Sequence, residues 1–235
     1  MGTVVFWRRD SPWPAPGRAT PAQLAAATGP AAATGPAIAA TGLMLVLFVL
    51  AHLAGLLLAA SNPAAFELYA TALHAKPWLP VVELALAAVV VAHGLLTAAK
   101  VITNRQAGNG AVLVSRRADP LAALAARTAP WSGSVLLLFL VVHLRQLRWP
   151  RPGPGEELAR LLQALDQPWA LVLYGAAGLA LGLHLFHGGE AAHRSLGLLD
   201  PASAGAIRGA TRWLALLVGA GFVVVTLVLA VQEGR

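Results

Sequence analysis

The chain has 235 residues, of which 57% are hydrophobic and only 11% are charged. Soluble domains carry roughly 25% charged residues, so this composition excludes a soluble globule and predicts an integral membrane protein. Cysteine is absent, which excludes disulfide scaffolds, cysteine-ligated zinc, c-type haem attachment and self-held iron–sulfur clusters. The net charge of +7 does not predict nucleic-acid binding, because the basic residues lie between apolar runs.

Apolar runs of helix length predict an all-α fold with five transmembrane helices, since a span needs about 20 apolar residues. We expect a cytoplasmic tail over residues 1–36, without a cleavable signal, and a membrane domain over 37–235. The predicted spans, in chain order, are about 40–60, 79–100, 130–148, 168–189 and 211–231.

Two of the connections are long. Residues 101–129 contain Asn and Gly and then predict a short helix before Pro130, and residues 149–167 turn helical at Glu156–Leu165. With the N-terminus inside, the cytoplasmic segments hold eleven Lys and Arg residues and the other side holds six. Positive residues concentrate on the cytoplasmic side of membrane proteins, so we expect the N-terminus inside and the C-terminus outside.

Four of the seven histidines lie within the predicted spans, one on each of the first four: His52, His93, His143 and His184. An ionisable residue inside a membrane helix is costly and indicates function. Because alternate helices run in opposite directions, His52 and His143 fall at one depth and His93 and His184 at another, about 12 Å apart. Two depth-matched pairs of imidazoles predict two stacked haems with two histidine ligands each.

These histidines stand in motifs that resemble the five-helix, di-haem cytochrome b anchor of type B succinate:quinone oxidoreductases, which include succinate dehydrogenase and fumarate reductase. The resemblance covers about residues 38–230. The motifs are Thr41-Gly42 with Phe48 and His52-Leu53, Phe66-Glu67-Leu68-Tyr69 with His74, Ala92-His93-Gly94, Pro130-Trp131-Ser132-Gly133 with His143, and Gly182-Leu183-His184-Leu185-Phe186-His187-Gly188.

The resemblance implies that His93 and His184 bind a proximal haem b and that His52 and His143 bind a distal one. It implies a non-catalytic subunit of respiratory complex II in a bacterial inner membrane, where electrons pass to a quinone, menaquinone rather than ubiquinone. A flavoprotein subunit with FAD would perform the dicarboxylate chemistry, and an iron–sulfur subunit would carry the clusters. The complex could form a higher oligomer, and the direction of the reaction stays open.

Haem propionates need cationic or hydrogen-bonding partners. Candidates at the cytoplasmic level are Lys100, Arg127, Trp131, Ser132 and His187, and candidates at the outer level are Arg145 and Arg148. His187 is also an alternative ligand to His184. The candidates for an outer quinone site are Tyr69, Glu67 and His74.

Two positions depart from the family's pattern: Leu56 stands where an Asn is usual, and Gly182 stands where some fumarate reductases have a carboxylate. Two other interpretations remain open. One is the di-haem cytochrome b of another quinone-linked oxidoreductase, and the other is a haem-free transporter with proton-relay histidines.

Overall fold

A computed structural model describes residues 30–106, 119–198 and 200–233, and every structural statement refers to these ranges. The chain divides into two units, Met1–Ala33 and Thr34–Arg235, and only the start of helix α1 is described in the first. Most of the predicted tail therefore lies outside the described residues. These residues form seven helices and no strand, which confirms the all-α class. The helices are α1 (Pro30–Ser61), α2 (Pro63–His74), α3 (Leu79–Gln106), α4 (Pro120–Leu147), α5 (Glu157–Leu165), α6 (Pro168–Ser195) and α7 (Ala204–Glu233).

Five of these helices are long and apolar enough to cross a membrane, namely α1, α3, α4, α6 and α7. Each of them contains most or all of one predicted span, which confirms a multi-pass membrane protein. The helices are longer than the spans, because a helix of 28 residues extends about 42 Å and the hydrocarbon core is about 30 Å thick. Hydropathy therefore locates only the lipid-embedded part, while the helix continues into the polar layers.

Helix α4 corrects the expectation for residues 101–129. The segment before Pro130 is not a separate short helix but the beginning of α4, which continues through Pro130. Asp119 starts this helix by accepting a hydrogen bond from the backbone N–H of Ala122 at 3.0 Å, and Pro120 occupies the first helical position. Membrane helices tolerate an interior proline where the surroundings satisfy the freed carbonyl, so Pro130 marks no boundary.

The two short helices, α2 and α5, pack against each other at one end of the bundle. Helix α5 matches the predicted helical segment, whereas α2 was not predicted. Its start has a recognisable signal: the side chain of Asn62 accepts a hydrogen bond from the Ala65 N–H at 3.1 Å, and Pro63 follows. An Asn cap before a proline is a strong helix start in any solvent.

The closest helix contact joins α6 and α7 through glycines. A Cβ atom placed on Gly219 would lie 2.8 Å from the Cα of Gly182, so the two backbones touch there. Small residues allow such an approach, and dispersion contacts between helices then replace contacts with lipid. A Cβ on Gly182 would already lie 3.4 Å from the Ala215 carbonyl oxygen. Any side chain at position 182 would therefore start in contact with the backbone of α7, so the close packing at this point favours glycine.

Replacing Gly219 by Ala should therefore separate α6 from α7 and lower the free energy of unfolding by about 1–3 kcal/mol. Thermal unfolding in detergent micelles measures this. The matched control is Gly209→Ala on the same helix, where an added Cβ meets nothing within 4 Å and should leave stability equal or higher. Equal melting temperatures for the two variants would contradict the backbone contact.

Candidate functional site

The four intramembrane histidines meet in two pairs inside the bundle. The ring centroids of His52 and His143 are 5.9 Å apart, and those of His93 and His184 are 6.3 Å apart. We name these the α1–α4 pair and the α3–α6 pair. Two imidazoles that each place a nitrogen about 2 Å from a shared metal ion have centroids roughly 6 Å apart. Each pair therefore has the spacing needed to hold one metal ion between its rings.

The pairs lie at two levels along the bundle. Thr41 is level with the α3–α6 pair, because its hydroxyl lies 3.0 Å from Nδ1 of His93. His52 is eleven residues further along the same helix, and the same step separates Ser132 from His143. Eleven residues correspond to about 16 Å of helix axis. This is somewhat more than the separation expected from helix entry points.

Aromatic rings surround the α1–α4 pair. His52 stacks on Phe48 at 5.5 Å and on Phe222 at 6.1 Å, and His143 packs against Phe139 at 5.2 Å. Such rings exclude water from the pair, and a dry site strengthens any electrostatic interaction within it.

Hydroxyl groups lie beside three of the four imidazoles, always at Nδ1: Thr41 at His93 (3.0 Å), Ser132 at His184 (3.2 Å) and Tyr174 at His143 (3.2 Å). With Nδ1 occupied, Nε2 is the nitrogen left for a metal. Neither Thr41 nor Tyr174 was among the predicted site residues. Tyr174 carries the signal of a lone polar ring in an apolar span, and it is 8% exposed.

The other candidates for the haem surroundings lie mainly on the surface of the bundle. Of these candidates, Ser132 contacts a paired histidine, with its hydroxyl oxygen 3.2 Å from Nδ1 of His184. Trp131 is 72% exposed and faces outward. Lys100, Arg127 and Arg145 are exposed near helix ends, which is the level at which long cationic chains reach polar groups.

Two further candidates have other surroundings. His187 is partly buried, one turn beyond His184 on α6. Arg148 forms a bidentate ion pair with Glu83, in which its Nε donates to Oε1 at 2.8 Å. This pair links the start of α3 to the end of α4 and neutralises both groups at the level of α2 and α5.

Two of the three quinone candidates converge on a residue that the sequence analysis missed. Glu67 and His74 on α2 both face Glu157, the first residue of α5, which is 8% exposed. His74 Nδ1 lies 3.0 Å from Glu157 Oε1. Tyr69 lies apart from them, half-exposed, with its ring 3.6 Å from a Cβ built on Gly55, three residues beyond His52. No local sequence pattern indicates that α2 packs against α5. Glu157 therefore looks, in the sequence, like one of the acidic residues that are common at the start of a helix.

The two glutamates share a buried polar environment. One oxygen of Glu67 accepts a hydrogen bond from the Leu158 N–H at 2.7 Å, and the other, Oε2, is buried without a hydrogen-bond partner. Burial raises the pKa of Glu67, and the adjacent carboxylate of Glu157 raises it further. Burial alone would also raise the pKa of Glu157, but the nearby Glu67 carboxyl and the hydrogen bonds with His74 and the Gly155 amide outweigh it and lower the pKa. A proton on Glu67 therefore removes the repulsion between the two buried carboxyl groups.

In the described ranges, no group of three or more histidine and acidic side chains is arranged to hold a metal ion. Comparison with known proteins finds no matching family model, curated protein or solved structure.

The carboxyl pair predicts a pH dependence of stability. Because the pKa of Glu67 is raised in the fold, its stabilising proton is held at acidic pH and lost as the pH rises through that raised pKa. Glu67→Gln keeps an N–H donor at every pH. Its melting temperature relative to the unchanged chain should therefore increase as the pH rises from the acidic side through that raised pKa. Glu156→Gln, in the neighbouring exposed position, is the control, and parallel curves for all three proteins would contradict a shared proton.

Proposed function

We propose that the chain is the di-haem cytochrome b anchor of a succinate:quinone oxidoreductase, which carries electrons from an iron–sulfur subunit to membrane quinone. The observation that supports this most is the meeting of four intramembrane histidines in two pairs, with centroid separations of 5.9 and 6.3 Å. A haem iron that is bound by two histidines would have no open position, so such sites favour electron transfer over oxygen chemistry. Bound haem b would supply reversible one-electron transfer at each site.

The side chains around the α3–α6 pair fit this cofactor. A Cβ on Gly42 would lie 3.2 Å from Cε1 of His93, and a Cβ on Gly133 would lie 3.3 Å from Cε1 of His184. Glycine at both positions leaves each imidazole room to stand between two helices. The hydroxyl at each Nδ1 leaves Nε2 as the ligating nitrogen, which is the usual second-shell arrangement of a histidine ligand.

We propose that charged residues at the two ends of the bundle bind the propionates. Lys100, Arg127 and His187 serve the haem of the α3–α6 pair, and Arg145 serves the other. Trp131 faces outward and suits anchoring at the membrane interface better than contact with a haem, since 72% of it is exposed. Arg148 is already paired with Glu83.

We propose a quinone site beside the α1–α4 pair, where α2 and α5 lie. Tyr69 is close to the His52 end of the site, and Glu67 with His74 and Glu157 forms a group able to hold and pass protons. Quinone reduction consumes two protons with two electrons, so a carboxyl whose pKa is raised, as that of Glu67 is, is a suitable proton donor. The resemblance favours menaquinone over ubiquinone.

The partners and the orientation complete the proposal. Because the chain has no cysteine, the iron–sulfur clusters would belong to an iron–sulfur subunit, and the resemblance assigns FAD to a flavoprotein subunit. The distribution of Lys and Arg places the N-terminus in the cytoplasm of a bacterial cell. The end with Lys100 and Arg127 would then face the iron–sulfur subunit, and α2 and α5 would face outward.

The pairing predicts how haem content responds to substitution. The purified chain should contain two b haems, and His52→Ala, His93→Ala, His143→Ala and His184→Ala should each contain one. Combining His93→Ala with His184→Ala should cost no further haem, whereas combining His93→Ala with His52→Ala should remove both. Haem per protein and the reduced-minus-oxidised spectrum measure this. His193→Ala, beyond the pairs, is the control, and a chain without haem would support the transporter interpretation.

The proposed quinone site predicts a separate defect. Glu67→Gln, Tyr69→Phe and His74→Gln should lower quinone-linked turnover at least tenfold while both haems remain, because proton delivery contributes typically 10²–10⁴-fold. The assay uses the complex with its flavoprotein and iron–sulfur subunits, with succinate as reductant. Unchanged quinone reduction in all three variants would remove this site. Failure of succinate to reduce the haems would instead favour the anchor of another oxidoreductase.

A further inference from the structure

The four-histidine bundle repeats itself at an offset of 91 residues, the step from 41 to 132. Adding this offset to Thr41, Gly42, Phe48, His52 and His93 gives Ser132, Gly133, Phe139, His143 and His184. The contacts repeat with the residues. The hydroxyl-to-Nδ1 distances are 3.0 and 3.2 Å, and the glycine Cβ positions lie 3.2 and 3.3 Å from Cε1. An arrangement built twice is harder to attribute to incidental packing.

The single hydroxyl hydrogen at each repeated contact is already used. Thr41 Oγ1 donates to the backbone carbonyls of Ala37 at 2.8 Å and Ile38 at 3.0 Å, within its own helix. Ser132 Oγ donates to the Ala129 carbonyl at 3.0 Å in the same way. A hydroxyl has one hydrogen and two lone pairs. With that hydrogen committed to its own helix, each oxygen can only accept from the imidazole beside it.

The protonated nitrogen of each imidazole follows from this. Nδ1 of His93 and of His184 must carry the hydrogen, and a neutral imidazole then has its lone pair on Nε2. We propose that Thr41 and Ser132 are positioning residues that fix both ligands of the α3–α6 pair in the Nδ1–H form and set the affinity of that site for ferric against ferrous iron. This inference rests on the proposed function for its redox part, whereas the tautomer assignment does not.

The α1–α4 pair is built differently. The Tyr174 hydroxyl donates to Gln146 Oε1 at 3.2 Å and accepts from Nδ1 of His143 at 3.2 Å. No side chain among the described residues hydrogen-bonds to His52, whose ring lies against Phe48 and Phe222. Thr41 and Ser132 therefore act on one pair alone, and an experiment that resolves the two haems can detect this.

The test uses Thr41→Val and Ser132→Ala. Both variants should keep two haems, and both should raise the ferrous-to-ferric ratio of the same haem several-fold at a fixed ambient potential. A donated Nδ1–H makes the imidazole more basic, which stabilises ferric iron. The substitutions remove the hydroxyl acceptor and leave only the weaker contacts of His93 with the Ile38 carbonyl and of His184 with the Ala129 carbonyl. The affected haem should be the one that His93→Ala loses. Thr41→Ser and Ser132→Thr should restore the original ratio.

The matched controls are Thr97→Val and Ser134→Ala. Their hydroxyls donate only to carbonyls of their own helices, at His93 (2.8 Å) and Pro130 (2.9 Å), so neither variant should change either haem. The redox part of the inference would be overturned if the ferrous-to-ferric ratio stayed unchanged in both Thr41→Val and Ser132→Ala. It would also be overturned if the ratio changed in the haem that His52→Ala loses.

The tautomers themselves are measured by nitrogen NMR on the unsubstituted chain labelled at histidine. Resonances of protonated Nδ1 at His93 and His184 are expected, and protonated Nε2 at either would overturn the inference. This measurement needs no variant to fold and no bound haem. A chain that shows the expected tautomers but never contains haem would refute the proposed function while keeping the assignment.

Discussion

The structure depends on the cost of placing an imidazole inside a hydrocarbon layer. Each ring has two nitrogens, and water is not present to satisfy either. In the α3–α6 pair both Nδ1 atoms meet a hydroxyl from the neighbouring helix, and the ring centroids lie 6.3 Å apart with the ring planes inclined by 72°. The histidines on α3 and α6 thus require a hydroxyl on the neighbouring helix, which Thr41 on α1 and Ser132 on α4 provide. Each such bond also fixes the register of two helices.

The helices pack through two kinds of contact, close backbone contacts at glycines and polar contacts of the histidines. Helix α6 packs on α7 through glycines, with backbone against backbone at Gly182 and Gly219. Helix α3 instead exposes long apolar side chains such as Leu84, at 73%, and Leu95, at 68%, which lipid would cover. The histidine contacts join α3 to α1 and to α6, so a helix with little other packing is held through its polar groups.

Hydropathy and helix periodicity were sufficient for the all-α class, the five spans and the depth matching of the histidines, because these depend on single residues counted along one helix. They were insufficient where the deciding partner is distant in sequence. Glu157 faces Glu67 and His74 across more than eighty residues, and no local pattern places α5 beside α2. The helix boundary predicted at Pro130 was wrong for a different reason. Proline interrupts helices in soluble proteins, but membrane helices tolerate an interior proline. Helix α2 does have a local signal in the sequence, because Asn62 followed by Pro63 is a typical helix start.

The 91-residue offset has a consequence for how such a bundle could arise. Helices α1 and α3 carry one member of each histidine pair together with one of the hydroxyls, and α4 and α6 carry the equivalent set. Each pair therefore takes one imidazole from each half, as the two sides of an isologous interface do. A chain of half this length, joined to a second copy of itself about a two-fold axis, would already contain both pairs. Glu83 and Tyr174 stand at equivalent positions in the two halves and mark where the halves differ, since the first pairs with Arg148 and the second contacts His143.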